Sequence, residues 1–315
     1  MNLTDTAKAF GVKQVLKYIE RDFDQNAIKI CDWLIAHDKK NAVSRQARTA
    51  REVLADKDSN WYQLFKSLYT DIDAGQRKRI FENFIINTSM IGTPAGFANR
   101  ARHGCNVPWA VLLDPTSGCN LHCIGCWAAE YGNKLNLTLE EMDSIITQAK
   151  ELGCYFFLYS GGEPLVRKQD LITLCERHPD AAFLAFTNGT LIDETFADEL
   201  LRVKNFVPAI SVEGFEETTD ARRGKGTYAA VVRAMNLLKE KKLAFGISCC
   251  YTSQNWEIIG SEAYYDAMIE LGAKFMWLFT YMPVGRDAVP ELMVTAEQRA
   301  HMYHFVREMR QKKPI

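Results

Sequence analysis

The sequence predicts an α/β fold, a six-stranded parallel sheet or barrel wrapped in helices, behind an all-α N-terminal helical region. Three observations carry this. Apolar runs rich in Val, Ile, Phe and Tyr recur six times from Trp109 onward, each run is followed by a polar turn and a helix-length amphipathic stretch, and the runs do not alternate cleanly. Repeated strand and helix implies parallel strands joined by crossover helices. Unbroken apolar runs suit strands buried on both faces. Right-handed crossovers then allow an open doubly wound sheet or a closed or partly closed barrel, and periodicity does not choose between them.

In chain order, Ile28, Cys31 and Ile35, then Trp61, Phe65 and Leu68, then Phe81, Ile85 and Thr88 repeat at helical spacing. Polar breaks fall at 38–41 and 56–59, and Ile91-Gly92-Thr93-Pro94-Ala95-Gly96 reads as a turn. The expectation is a helical domain of four or five helices over 1–95, a linker over 96–108 and a strand–helix domain over 109–315. Trp33, Trp61, Tyr62, Phe65 and Tyr69 are expected in the bundle core rather than in a substrate groove. His103, with Arg100 and Arg102, is expected on a solvated basic loop. Strands are expected at 109–113, 154–159, 182–186, 206–212, 243–250 and 274–281. Thr138 and Thr295 open helices with capping boxes, and Asp193 and Thr227 are expected N-caps.

At 47% hydrophobic and 24% charged residues, the 315-residue chain has a globular composition. Its 38 Lys and Arg against 39 Asp and Glu give no electrostatic case for nucleic acid or an anionic membrane as main partner. Nine cysteines are odd in number and too sparse for a secreted disulfide scaffold. Residues 1–5 lack a signal peptide's basic start, and no window reaches the ~18 apolar residues of a membrane span. The expectation is a cytoplasmic protein with no transmembrane segment, peripheral membrane contact being left open.

The chemistry-bearing residues follow the strands. Cys119, Cys123 and Cys126 come after the first, Ser160-Gly161-Gly162-Glu163-Pro164 after the second and Thr187-Asn188-Gly189-Thr190 after the third. Ser211-Val212-Glu213-Gly214 ends the fourth and 281–286 ends the sixth. Sites on parallel α/β folds gather at the carboxyl ends of strands, so these segments should share one face. Three thiols at Cx3Cx2C spacing offer a soft metal three ligands where a closed site takes four, iron–sulfur and zinc being the main candidates. Gly161 and Gly162 permit close backbone approach. Glu163 can accept from a ligand amine or from backbone, and Ser211 and Glu213, two apart on a strand, can face one side toward a ligand with hydroxyls and charge.

Cx3Cx2C after the first strand, Gly-Gly-Glu-Pro after the second and Ser-x-Glu-Gly ending the fourth together resemble the radical S-adenosylmethionine (SAM) superfamily over roughly residues 109–310. The resemblance implies a partial (β/α)6 TIM-like barrel. It implies a [4Fe–4S] cluster on Cys119, Cys123 and Cys126 whose fourth iron is chelated by SAM. Reductive cleavage of SAM would give a 5′-deoxyadenosyl radical that abstracts hydrogen from, or adds to, a substrate. Gly161, Gly162 and Glu163 would contact the SAM amine, and Ser211 and Glu213 its ribose or carboxylate. Arg222 or Arg223 would contact the carboxylate, and Met282 and Pro283 would offer backbone to the adenine. Asn188 is counted with this set.

The likeness extends to the branch with adenosylhopane synthase and peptide-modifying enzymes. That leaves a small-molecule, lipid or peptide substrate open, with a ribosomal-peptide maturase as the second reading and flavodoxin or ferredoxin as electron donor. Gly125 departs from the pattern, since many members carry an aromatic before the third cysteine; Trp127, just after it, could fill similar space. Members commonly continue past the sixth strand, so the chain is expected to be a piece of a longer one.

Blander readings stand beside these. A zinc knot completed by His122 or a distant ligand would use the same cysteines, although adjacent His122 and Cys123 would strain to share an ion. A non-catalytic iron–sulfur or zinc scaffold is the reading from another functional class. Cys249 and Cys250 point to opposite faces of a strand and are expected as small hydrophobes before thiyl partners or auxiliary ligands. Cys31, Cys105, Cys154 and Cys175 are expected to be structural. Gly224-Lys225-Gly226 lacks a full phosphate-binding pattern and reads as a tight turn.

Overall fold

The computed structural model describes residues 11, 14–37, 44–132, 134–285 and 287–315, excepting the side chains of Ala129 and Glu130. Residues 1–5, the polar break at 38–41 and Arg286 lie outside the described residues. After a helical stretch at 14–21 come helices α1 (Phe23–His37), α2 (Ser44–Ala55), α3 (Asn60–Asp71) and α4 (Ala74–Phe81). Ala27 and Cys31 of α1, Leu54 of α2 and Tyr62 of α3 form a small core. The break at 56–59 is where expected, and the Ser59 hydroxyl caps α3 by accepting from the Tyr62 N–H.

The aromatic residues behave otherwise than expected. Tyr62 is buried and Tyr69 is half-buried against Phe23, but Trp33, Trp61 and Phe65 are 56%, 46% and 40% exposed. Ala27, Cys31, Leu54 and Tyr62 draw the helices together on another face. The larger rings lie along the outside, Trp33 against His37 and Trp61 against Phe65, each pair four residues apart.

The turn expected at 91–96 is helical instead. A π-helix, Glu82–Gly92, runs directly into α5 (Thr93–His103). Pro94 sits in the first turn of α5, where its missing N–H is tolerated. The hydroxyls of Thr88, Ser89 and Thr93 each reach a carbonyl five residues back. A side chain at Gly92 would lie 2.3 Å from the Gly153 carbonyl oxygen. Arg100, Arg102 and His103 therefore end a helix rather than a loop, exposed and complementary to its negative terminus.

Strands β1 (Val111–Leu113), β2 (Phe156–Tyr159), β3 (Ala182–Thr187), β4 (Phe206–Ser211), β5 (Gly246–Tyr251) and β6 (Met276–Thr280) form one parallel sheet in chain order. With β1 and β6 unpaired at its edges, the sheet is a half-barrel, which settles what periodicity left open. Helices α6 (Leu139–Glu151), α7 (Lys168–Arg177), α8 (Glu194–Val203), α9 (Glu216–Arg223), α10 (Thr227–Glu240), α11 (Trp256–Ile259), α12 (Glu262–Leu271) and α13 (Ala296–Lys312) complete it. Register aligns Phe157 with Phe183 and Phe183 with Phe206, and these fully buried rings belong to the core shared with the helices. Each contributes roughly 1.5–3 kcal/mol. The other face carries Leu158, Leu184, Phe186, Ala209, Ser211, Ser248, Cys250, Trp277 and Phe279, as alternation requires.

The capping boxes at Thr138 and Thr295 and the Asp193 cap are present. Thr227 is not the cap of α10: Gly226 holds that position, and Asp220 of α9 accepts from the N–H groups of Gly226 and Tyr228.

The N-terminal helices cover the amino ends of the strands. The buried Gln76 side chain accepts from Ala244 N–H (2.7 Å) and donates to the Phe206 carbonyl. Asn83 donates to the carbonyls of Pro179 and Ala181, and Asn87 to that of Asp180. Phe84 meets Phe156 edge-on with centroids 5.3 Å apart.

Candidate metal centre

The cysteine loop leaves the carboxyl end of β1. Its base is fixed by Ser117 N–H to the Leu135 carbonyl (2.8 Å) and Leu137 N–H to the Pro115 carbonyl (3.1 Å). The loop after β2 then lies along it: Gly162 N–H donates to the Thr116 carbonyl (2.9 Å) and Glu163 N–H to that of Gly118 (2.8 Å). Gly161 has φ +97°, and a Cβ on Gly162 would stand 2.2 Å from the Gly118 oxygen. The bare backbone expected to approach a ligand is pressed on the loop that carries the cysteines.

Glu163 is buried, and both carboxylate oxygens are engaged by protein. One accepts from the Thr187 hydroxyl (2.6 Å) and Leu165 N–H (2.9 Å), the other from Asn188 N–H (2.6 Å). Of the two partners open to it, ligand amine or backbone, the structure shows backbone. Burial raises its pKa against the pull of these hydrogen bonds. Asn188, thereby fixed, donates to the Asn120 side chain (2.8 Å), and its amide nitrogen is 4.0 Å from Cys119 Sγ.

Ser211 and Glu213 are both buried at the end of β4. One Glu213 oxygen accepts from Arg222 Nη1 (2.7 Å) and Arg223 Nε (2.9 Å); the other accepts from Cys250 N–H (3.1 Å). Residues read separately as ligand contacts thus hold one another. Two guanidiniums against one carboxylate leave an excess positive charge, and Arg222 Nε is buried with no protein partner. Arg222 also fixes the cysteine loop, its carbonyl accepting from Ile124 N–H (2.9 Å).

The thiols are free and partly exposed. Burial raises the Cys119 thiol, opposed by Leu121 N–H, which points at its sulfur at 3.4 Å. Burial raises Cys123 as well, opposed by Arg223 and Arg222. The Leu121 N–H and the positive charges of Arg222 and Arg223 offset part of that burial and suit an anionic thiolate-bound cluster. Among the described residues, no three His, Cys, Asp or Glu side chains are set to hold a single metal ion. The donor set fits an iron–sulfur cluster.

Other expected members stand apart. Met282 is 68% exposed, and its carbonyl accepts from Val284 N–H. Trp127 is exposed and packs edge-on against Tyr131. Cys250 lies half-buried on the inner face with its thiol raised to about 11 by burial, while Cys249 is buried against Tyr264 Oη (2.9 Å). Cys31, Cys154 and Cys175 are buried as expected of structural residues, but Cys105 is exposed. Sequence reasoning missed Thr219, and it placed Thr187 and Tyr281 in the converging segments without a role of their own. Thr187 and Thr219 bond Glu163 and the Glu213 N–H, and Tyr281 fills the space over Gly125. Gly125 was the available signal for the last of these.

Fold and site together define an α/β half-barrel with a three-cysteine loop at the carboxyl ends of its strands. Residues 113–259 match the family model of the radical SAM superfamily. It is 34% identical over 152 residues to the Fe-coproporphyrin III synthase of Methanosarcina barkeri, covering 46% of this chain and 37% of that protein. It is 31% identical over 168 residues to a cysteine-type anaerobic sulfatase-maturating enzyme of Clostridium perfringens, covering 46% and 45%. The chain therefore spans about half or less of these relatives. In fold it resembles Streptococcus suis SuiB bound to S-adenosylmethionine, with TM-score 0.59, 20% identity and coverage of 70% of this chain and 52% of that one.

Proposed function

We propose that the protein is a radical SAM enzyme in which Cys119, Cys123 and Cys126 hold a [4Fe–4S] cluster at the carboxyl mouth of the half-barrel. The observation that carries this is the cysteine loop itself, braced by the Gly161–Gly162 backbone and faced by an arginine pair with one charge unneutralised. When bound, cluster and SAM supply one-electron reduction and hydrogen abstraction from a substrate. The chain's own residues prepare the place for them. Glu163 ties the β2 loop to the end of β3, and Glu213 orients Arg222 and Arg223 so that their excess charge receives an anion such as a thiolate or the SAM carboxylate. Ser211, Asn188 and the backbone at Met282 are proposed to border SAM.

Phe186, Trp277 and Phe279, packed edge-on and tilted on the inner face, offer the substrate an apolar wall. A relative that matures a sulfatase supports a peptide or protein substrate; one that makes a porphyrin supports a small molecule. A cytoplasmic setting and a flavodoxin- or ferredoxin-type donor belong to the same proposal, as does the division at 95 and 109. Among the described residues no helix is long and apolar enough to cross a membrane.

The test is anaerobic reconstitution with iron and sulfide, reduction with dithionite and incubation with SAM. Wild type should release 5′-deoxyadenosine, and Cys123→Ala should release none. A wild-type protein that binds one zinc and never cleaves SAM would sink the reading.

A further inference from the structure

We propose that Tyr281, the residue after β6, is a positioning residue for the turn between the second and third cysteines, so that cluster capture and the Tyr281–Val289 hydrogen bond are coupled. This rests on the reading of the three cysteines as cluster ligands. Residues 123–126 form a tight turn closed by Cys126 N–H to the Cys123 carbonyl (3.2 Å), with Gly125 at φ +67°. One side of the turn is held by α9 through the Ile124 N–H. The other side is occupied by the Tyr281 ring: a Cβ on Gly125 would lie 2.6 Å from Tyr281 Oη and 2.9 Å from its Cε2.

The ring is not free to yield. Tyr281 is 4% exposed, its N–H donates to the Tyr251 carbonyl (3.1 Å), and its hydroxyl accepts from Val289 N–H (2.9 Å). Turn and ring therefore determine each other. The turn presents Cys123 and Cys126 at its two ends, and the ring is set by the same hydroxyl that fastens Val289. Whatever binds both thiols also favours the Tyr281–Val289 contact, and linkage makes the effect reciprocal.

Two measurements test this. In wild type, amide hydrogen exchange at Val289 should slow on cluster loading; exchange unchanged between apo and loaded protein overturns the proposal. In variants, Tyr281→Ala should retain several-fold less iron and sulfide and change the electron paramagnetic resonance spectrum of the reduced cluster, both read below the variant's own, lowered apoprotein melting temperature. Gly125→Ala should also lose iron, and adding Tyr281→Ala to it should recover part of that loss because the clash is gone, a non-additivity that general destabilisation does not produce. Tyr281→Ala that loads fully with an unaltered spectrum, or losses that simply add, overturns the proposal. If wild type takes up no iron, the cluster reading itself fails, an outcome distinct from these.

Discussion

Glu213 has no exposed surface and carries two guanidiniums on one oxygen. Removing one partner of a buried charge group leaves the others uncompensated, typically at 3–5 kcal/mol. Glu213→Gln is thus expected to lower apoprotein stability by about 3 kcal/mol in urea denaturation, and a loss under about 1 kcal/mol would mean that solvent reaches the arginines. Glu163→Gln differs in kind, because an amide NH2 would meet the Asn188 or Thr187 donors that the carboxylate now accepts. A loss of about 1–3 kcal/mol is expected, together with faster hydrogen exchange in the cysteine loop that the β2 loop braces. Both residues were visible in the sequence as polar groups at strand ends. Their partners were not, because Glu213 and Arg223 meet only through the fold-back of α9, and a spacing read along one chain does not show which charge answers which.

At the level of elements, all six strands were legible, since their apolar runs and the turns after them are local features. Caps were legible where the capping side chain is adjacent in sequence, as at Thr138, and not where a neighbouring helix supplies it, as Asp220 does for α10. Residues 91–96 read as a turn from their Gly and Pro, but packing of Gly92 on Gly153 and a proline in a first turn keep them helical. His178 gives this level a pH test. At the end of α7 it meets Asp143 (3.0 Å) and lies near Lys150 (3.4 Å); burial, then Lys150, lower its pKa against the pull of Asp143. The folded protein therefore binds this proton less readily than the unfolded chain. Its neutral form should support full stability above about pH 6.5, with stability falling as pH drops from there toward the lowered folded value. The urea midpoint should decrease between about pH 7.5 and 5.5, and His178→Gln should flatten that slope.

For the whole molecule, the sequence named two textures but not how they meet. Nothing local in Gln76, Asn83 or Asn87 shows that their amides answer backbone groups of β4, of the segment before β5 and of 179–181. That contact makes the helical region a floor beneath the sheet, at the end away from the cysteine loop. Gln76→Leu would leave the Ala244 N–H and Phe206 carbonyl unpaired and should cost about 1–3 kcal/mol. Circular dichroism and denaturation would show the loss as one cooperative transition if floor and sheet unfold together, and as an early separate phase if they do not.

The hydrogen bonds from Gly162 and Glu163 to Thr116 and Gly118 also fix an order of events during synthesis. The cysteines leave the ribosome first, while the loop that shapes their segment follows only after a helix and another strand. Until then the thiols belong to an unbraced chain. Nascent chains stalled before residue 160 should accordingly carry reduced, freely alkylatable cysteines.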